Sequence, residues 1–256
     1  MKSPLARLGR LIGTYLSQPS RSYQPANTCR PELLQQTLRP GDVLLVDGNT
    51  RLSVAIKYLT QSTWSHAALY VGPVSQGAIS EPRALIEADL VEGVRAVPVG
   101  HYVYSHTRIC RPVGLSPQHL QQIIAGAVAR IGHTYDLKNV MDLGRYLLPT
   151  PPVPVNWRRR MIALGSGEPT RAICSTLIAQ LFQSVGYPIL PEIESRAAPV
   201  PGCDDCTEEI LHIRHHSLFA PRDFDISPYF RVVKPTVECD FDYQRLNWDD
   251  RPGKMG

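Results

Sequence analysis

Long apolar runs are missing from this chain: nowhere do about 18 apolar residues follow one another, so no segment reads as a helix that crosses a bilayer. Cysteine is scarce, with 6 among 256 residues. Cys29, Cys110, Cys174, Cys203, Cys206 and Cys239 are neither dense nor regularly spaced. A chain of this size needs no disulfide framework, and a reducing compartment is the expectation. An excess of one charge is also lacking, since 27 Lys and Arg against 23 Asp and Glu leave a net charge of +4. Apart from "WRRRM" at 157–161 the basic residues are scattered, which removes the electrostatic basis for binding nucleic acid. There is no internal repeat. What the chain does have is 43% hydrophobic content, enough to bury the core of one large domain.

The first residues place Leu5, Leu8, Ile12 and Leu16 at helical spacing with Lys2, Arg7 and Arg10 between them. This is an amphipathic pattern without the continuous core of a signal peptide. Two readings stay open, a helix lying on an anionic membrane surface and a helix packing on its own domain. Cys29 follows Thr28 rather than the small Gly or Ala of a lipid-attachment site. The expected organisation is an N-terminal segment over 1–30, one domain over 31–240 with a Pro-rich insertion at 149–170, and a polar tail over 241–256. The expected location is cytoplasmic, with membrane association left open through the first segment.

Along the domain, "LRPGDVLLVDG" (38–48) is a Pro-Gly turn followed by a short apolar strand. "TRLSVAIKYLTQ" reads as an amphipathic helix and "SHAALYVG" as a buried strand ending at Gly72. "ALIEADL" and "GVRAVPV" form a hairpin around Glu92 and Gly93, and "TRICRPVG" adds a strand. Strand-rich and helix-rich stretches are segregated, which predicts an α+β fold with an antiparallel sheet packed against helices. "SPQHLQQIIAGAVARIG" (116–132) has a Ser cap, a Pro at the first helical position and a closing Gly132. "ICSTLIAQLFQSVG" is a second helix, with Leu177, Ile178, Leu181, Phe182 and Val185 on one stripe and Gly186 after it. "PILPEIESRAAPVPGCDDC" reads as loop, and "APRDFDISPYFRVVKP" holds one strand.

Cys174 stands at the start of the second helix, where the positive end of the helix dipole and the unpaired N–H groups of the first turn favour a thiolate. Buried packing is the competing role for such a cysteine. A cysteine nucleophile needs a base, and His66 sits at the mouth of an otherwise apolar strand where the flanking pattern calls for an apolar residue. Glu87 interrupts a second apolar strand, and a carboxylate there is costly to bury without a partner. If the two strands are neighbours, Glu87 accepts a proton from one imidazole nitrogen and fixes the tautomer.

"LRPGDVLLV", "WSHAALYVG", "LIEADLVEGV", "GHTYDLKN" and "AICSTLIAQLFQSVG", in this order, resemble the NlpC-type cysteine peptidase superfamily in its circularly permuted, YiiX-like branch of papain-like amidases. The resemblance spans roughly residues 38–190. In that branch the His strand precedes the Cys helix, as here. It implies a permuted papain-like fold with the catalytic cysteine at a helix N-terminus, Cys174 as nucleophile, His66 as base and Glu87 as the residue that orients it. It also implies that Tyr135 lies near the nucleophile and helps hold the oxyanion. The interval from Tyr135 to Cys174 departs from the family pattern by the Pro-rich insertion. The activity implied is acyl transfer to water on an amide, thioester or ester bond of a peptide-like or lipid-linked substrate, without a cofactor.

Two other readings compete. "CDDC" (203–206) followed by His212, His215 and His216 offers zinc-type ligands, although no second close pair completes a structural site. No bound metal is the expectation. A non-catalytic scaffold on the same fold would need no reactive thiol, and the joint presence of Cys174, His66 and Glu87 argues against it.

Overall fold

The computed structural model describes residues 14–15, 18–19, 30–76, 79–89, 92–102, 104–134, 173–197, 207–239 and 241–245. Most of the N-terminal segment, the 149–170 insertion, Tyr135, Cys203 and Cys206 lie outside them.

Helix α1 (Pro31–Thr37) leads into β1 (Val43–Asp47), and α2 (Arg51–Thr60) follows. Its N-cap is Thr50, whose side chain accepts from the Ser53 N–H. Then come β2 (His66–Gln76), β3 (Ile79–Asp89), β4 (Gly93–Pro98), β5 (His106–Pro112) and α3 (Pro117–Ala129). The cap expected at Ser116 is present, since its side chain accepts from the His119 N–H. Helix α4 (Ile173–Ser184), the hairpin β6 (Glu192–Ala197) and β7 (Thr207–His212), α5 (Pro221–Ile226), β8 (Phe230–Val233) and α6 (Pro235–Glu238) complete the described elements.

Six strands form one sheet in the order β4-β3-β2-β1-β5-β8, and its pairings are antiparallel. The fold is α+β, an antiparallel sheet packed against helices. Both faces of the sheet are covered, which explains why "DVLLVD" and "HAALYV" read as nearly continuous apolar runs rather than as alternation. On one face Leu45, Ala67, Leu69 and Ile86 pack against Ile123 and Ala127 of α3 and Leu177, Ile178, Leu181 and Phe182 of α4. On the other, Leu44, Val46, Ala68, Tyr70, Leu85 and Ile109 pack with Leu34 and Leu38.

Strands β6 and β7 correct the expectation of a loop after α4. Their alternation is mostly charged and polar, as in Glu192, Glu194 and Arg196, so β6 shows no buried side to the sequence reader. Pairing with β7 through Ile193 opposite Leu211 makes it a strand. In the segment after 219, the one expected strand is β8, and the short helix α5 precedes it.

The hairpin of β3 and β4 is docked onto the end of α3. Val94 N–H donates to the His133 carbonyl at 2.9 Å, and Gly132 N–H donates to the Val94 carbonyl at 2.8 Å. Gly93 makes this approach with φ of +79°, and a Cβ there would stand 2.3 Å from the His133 oxygen. Gly93→Ala is therefore expected to destabilise the protein by at least about 2 kcal/mol. Urea denaturation tests it, and an unchanged midpoint would mean that the hairpin is not held against α3 in solution.

Candidate active site

His66 is the first residue of β2 and pairs with Val46 of β1. Alternation puts it on the side of Ala68 and Tyr70, and puts Glu87 of β3 on the side of Leu85, so the two share a face of the sheet. The imidazole Nε2 lies 2.9 Å from Glu87 Oε2. The two awkward residues of the sequence do meet.

Glu87 is only 1% exposed, and its carboxylate is fully engaged. Besides His66, Oε2 accepts from the Tyr102 hydroxyl, while Oε1 accepts from Arg95 Nε at 2.9 Å and faces Arg95 Nη2 at 2.8 Å. Arg95 stands directly opposite Glu87 in the β3–β4 pairing. Burial would push the Glu87 carboxyl up, but the hydrogen bond and charge of His66, the Tyr102 hydroxyl and the Arg95 guanidinium together hold it down at about 2. It is a permanent anion at neutral pH. For Tyr102, burial and the adjacent Glu87 charge push the phenol well above its ordinary range, so it stays a donor.

Arg95 and Tyr102 were missed by the sequence reading. A signal for Arg95 was there: it interrupts "GVRAVPV" as Glu87 interrupts "ALIEADL", at matching depth on the two arms of the hairpin. Tyr102 sits in a short 3-10 turn at Val99–Tyr102, and no local pattern links it to Glu87.

Cys174 lies in the first turn of α4 and is buried. The neighbouring Ser175 hydroxyl donates to the Phe219 carbonyl at 2.6 Å, which ties that turn to the segment entering α5. Helix α4 packs on β2 and β3, and Cys174 in its first turn is near enough to His66 for its charge and hydrogen bonding to act on the ring. Since Nε2 is committed to Glu87, the nitrogen left for the sulfur is Nδ1. Burial alone would lower the His66 pKa. The charge and hydrogen bond of Cys174, followed by those of Glu87, outweigh it and raise the value well above the ordinary 6.5.

The residues that bear the imidazole and its carboxylate also match a family model. The family described as permuted papain-like amidase enzyme, YaeF/YiiX, C92, matches residues 37–146. Over these residues the chain is similar to the permuted papain-like amidases. The match takes in β1 to β5 with His66, Glu87, Arg95 and Tyr102, and Cys174 lies beyond it. The matched family is one of cysteine amidases, and on that match the protein is an enzyme, a cysteine hydrolase. A solved structure described as metalloprotein yiiX from Escherichia coli O157:H7 is also similar, at 16% identity and a TM-score of 0.44, over 83% of this chain and 98% of that one. No curated protein matches.

Of the residues expected at the site, Cys174, His66 and Glu87 come together, and Tyr135 lies outside the described residues. Cys203 and Cys206 lie outside them as well. His212 is paired with Glu194 at 2.9 Å, and His215 Nδ1 faces Ser217 Oγ at 2.8 Å. Among the described residues no group of three or more potential metal ligands occurs. Among them, too, no helix is long and apolar enough to cross a membrane. His106 opens β5 with its ring 5.1 Å from that of Trp64.

Proposed function

We propose that Cys174, His66 and Glu87 form the catalytic triad of this hydrolase, and that it acts on an amide bond through an acyl-enzyme. Thioesters and esters are open to the same chemistry. The observation that carries this reading is the His66 imidazole held between a buried, ionised carboxylate and the Cys174 sulfur.

The Cys174 sulfur attacks the carbonyl carbon, and the electron pair moves onto oxygen. Backbone N–H groups of the first turn of α4 receive that oxyanion, with Tyr135 assisting as the family resemblance implies. His66, protonated at neutral pH by virtue of its raised pKa, gives its proton to the leaving amine as the C–N bond breaks. A water molecule then yields a proton to His66, its oxygen bonds to the acyl carbon, and the thiolate leaves. Throughout, Glu87 keeps Nε2 protonated and Nδ1 turned to the sulfur, and Arg95 and Tyr102 keep Glu87 in place.

Alkylation tests the triad directly. Iodoacetamide at pH 6 is expected to label Cys174 ahead of Cys239, which is exposed, and His66→Ala is expected to abolish that preference. Labelling of Cys239 ahead of Cys174, or a preference for Cys174 that survives His66→Ala, would refute the triad.

A further inference from the structure

A second polar site lies at the same end of the sheet. A cavity of about 460 Å³ opens between the start of β5, the segment before β2 and α5, walled by Trp64, His106, Arg108, Arg222 and Asp225. It is joined to the candidate active site by two short stretches of chain. Trp64 is two residues ahead of His66, and the Phe219 carbonyl that anchors Ser175 is three residues ahead of Arg222. His66 and His106 lie at the same end of strands separated only by β1, their side chains turned to opposite faces of the sheet.

The hydrogen-bond balance of this wall is one-sided. Asp225, a wall carboxylate, is already occupied: Oδ1 and Oδ2 accept from Arg108 Nη1 at 2.7 and 2.8 Å, and Oδ2 also accepts from Trp64 Nε1 at 2.9 Å. Arg222 uses Nη1 on the Thr60 carbonyl, at 2.5 Å. Nε and Nη2 of both arginines have no hydrogen-bond partner among the described residues. His106 Nδ1 stands 3.8 Å from Asp47, which is paired to Lys57, and so its Nε2 is left for the cavity. The Trp64 indole packs tilted against His106 and lies under the Arg108 guanidinium, 5.0 Å from its carbon. The wall carboxylate is spent, while donors are left over on both arginines.

We propose that this cavity binds an anionic group, a carboxylate or a phosphate, which the substrate carries away from the scissile bond. The fork of Arg222 supplies two parallel N–H donors to such a group, with Arg108 and His106 beside it. Anion binding stands on the cavity alone, whereas its role in selecting substrate rests on the hydrolase function proposed above.

The test uses the full chain labelled with nitrogen-15, with the Trp64 indole resonance assigned through Trp64→Phe. Acetate and inorganic phosphate are titrated separately, against chloride at equal ionic strength. The expected result is a saturable shift of that resonance with at least one of the two anions, weakened about tenfold or more in Arg222→Gln. The tighter of the two names the group. A shift no different from that with chloride, or an Arg222→Gln protein that titrates like the parent, overturns the anion site. In the turnover arm, 4-nitrophenyl esters of a long acyl chain ending in a carboxylate are compared with their neutral methyl esters. The charged ester is expected to be preferred about tenfold in kcat/KM, and only its turnover should fall in Arg222→Gln. Loss of turnover with anion binding intact counts against the hydrolase reading; equal turnover of both esters counts against the subsite.

Discussion

Cys174→Ala is expected to lower turnover of acyl substrates at least about ten-thousandfold while leaving the protein folded. The substitution removes one buried sulfur from a helix start whose position is set by other groups: the Ser175 hydroxyl on Phe219 and the apolar stripe of Leu177, Ile178, Leu181 and Phe182. Packing therefore changes little, while the proposed nucleophile is removed. His66→Ala should cost nearly as much, and the double substitution little more than either, because the two groups act as one unit. Amide, thioester and ester probes, with circular dichroism and thermal melting as folding controls, check this. Residual activity within about tenfold of the parent would mean that the nucleophile is elsewhere.

Glu87→Gln is expected to reduce kcat about a thousandfold, since an amide cannot stabilise an imidazolium and does not fix which ring nitrogen carries the proton. It also has a signature in stability. The Glu87 carboxyl falls from an ordinary 4.5 to about 2 on folding, so its ionised form contributes stability that is fully present above pH 4.5 and lost as pH falls towards 2. The contribution is on the order of 3 kcal/mol. Urea midpoints measured from pH 6 down to pH 2.5 should therefore fall more steeply for the parent than for Glu87→Gln. Equal slopes would mean that the His66, Tyr102 and Arg95 contacts do not hold the carboxylate as ionised. The His66 contribution has the opposite sign: its raised pKa gives stability that is complete below 6.5 and lost as pH rises through the elevated value.

Much of the fold was legible because its signals are local. The Ser116 cap, the Pro after it and the apolar stripe of α4 each specify a helix within a few residues, and the runs around β1 and β2 are apolar enough to require a sheet covered on both sides. His66 and Glu87 were legible for the converse reason, as ionisable groups standing where strand patterns ask for apolar ones. Strand β6 escaped notice because a charged, exposed strand has no periodic apolar side, and only its partner makes it one. His106 escaped because its ring contact with Trp64 joins residues far apart along the chain.

By itself the sequence determined which residues could do acid, base and nucleophile chemistry, and which stretches would be helices and strands, since caps, turns and hydrophobic periodicity act over a few neighbours. Tertiary structure alone decided that the imidazole would have Glu87 on Nε2 and Cys174 beside its other nitrogen, and that Arg95 and Tyr102 would hold the carboxylate from behind. It also decided that two arginines would face a cavity one strand away. Hydrogen bonds and charges at these ranges depend on distances between atoms far apart along the chain, and those distances exist only once the sheet has paired and α4 has packed on it.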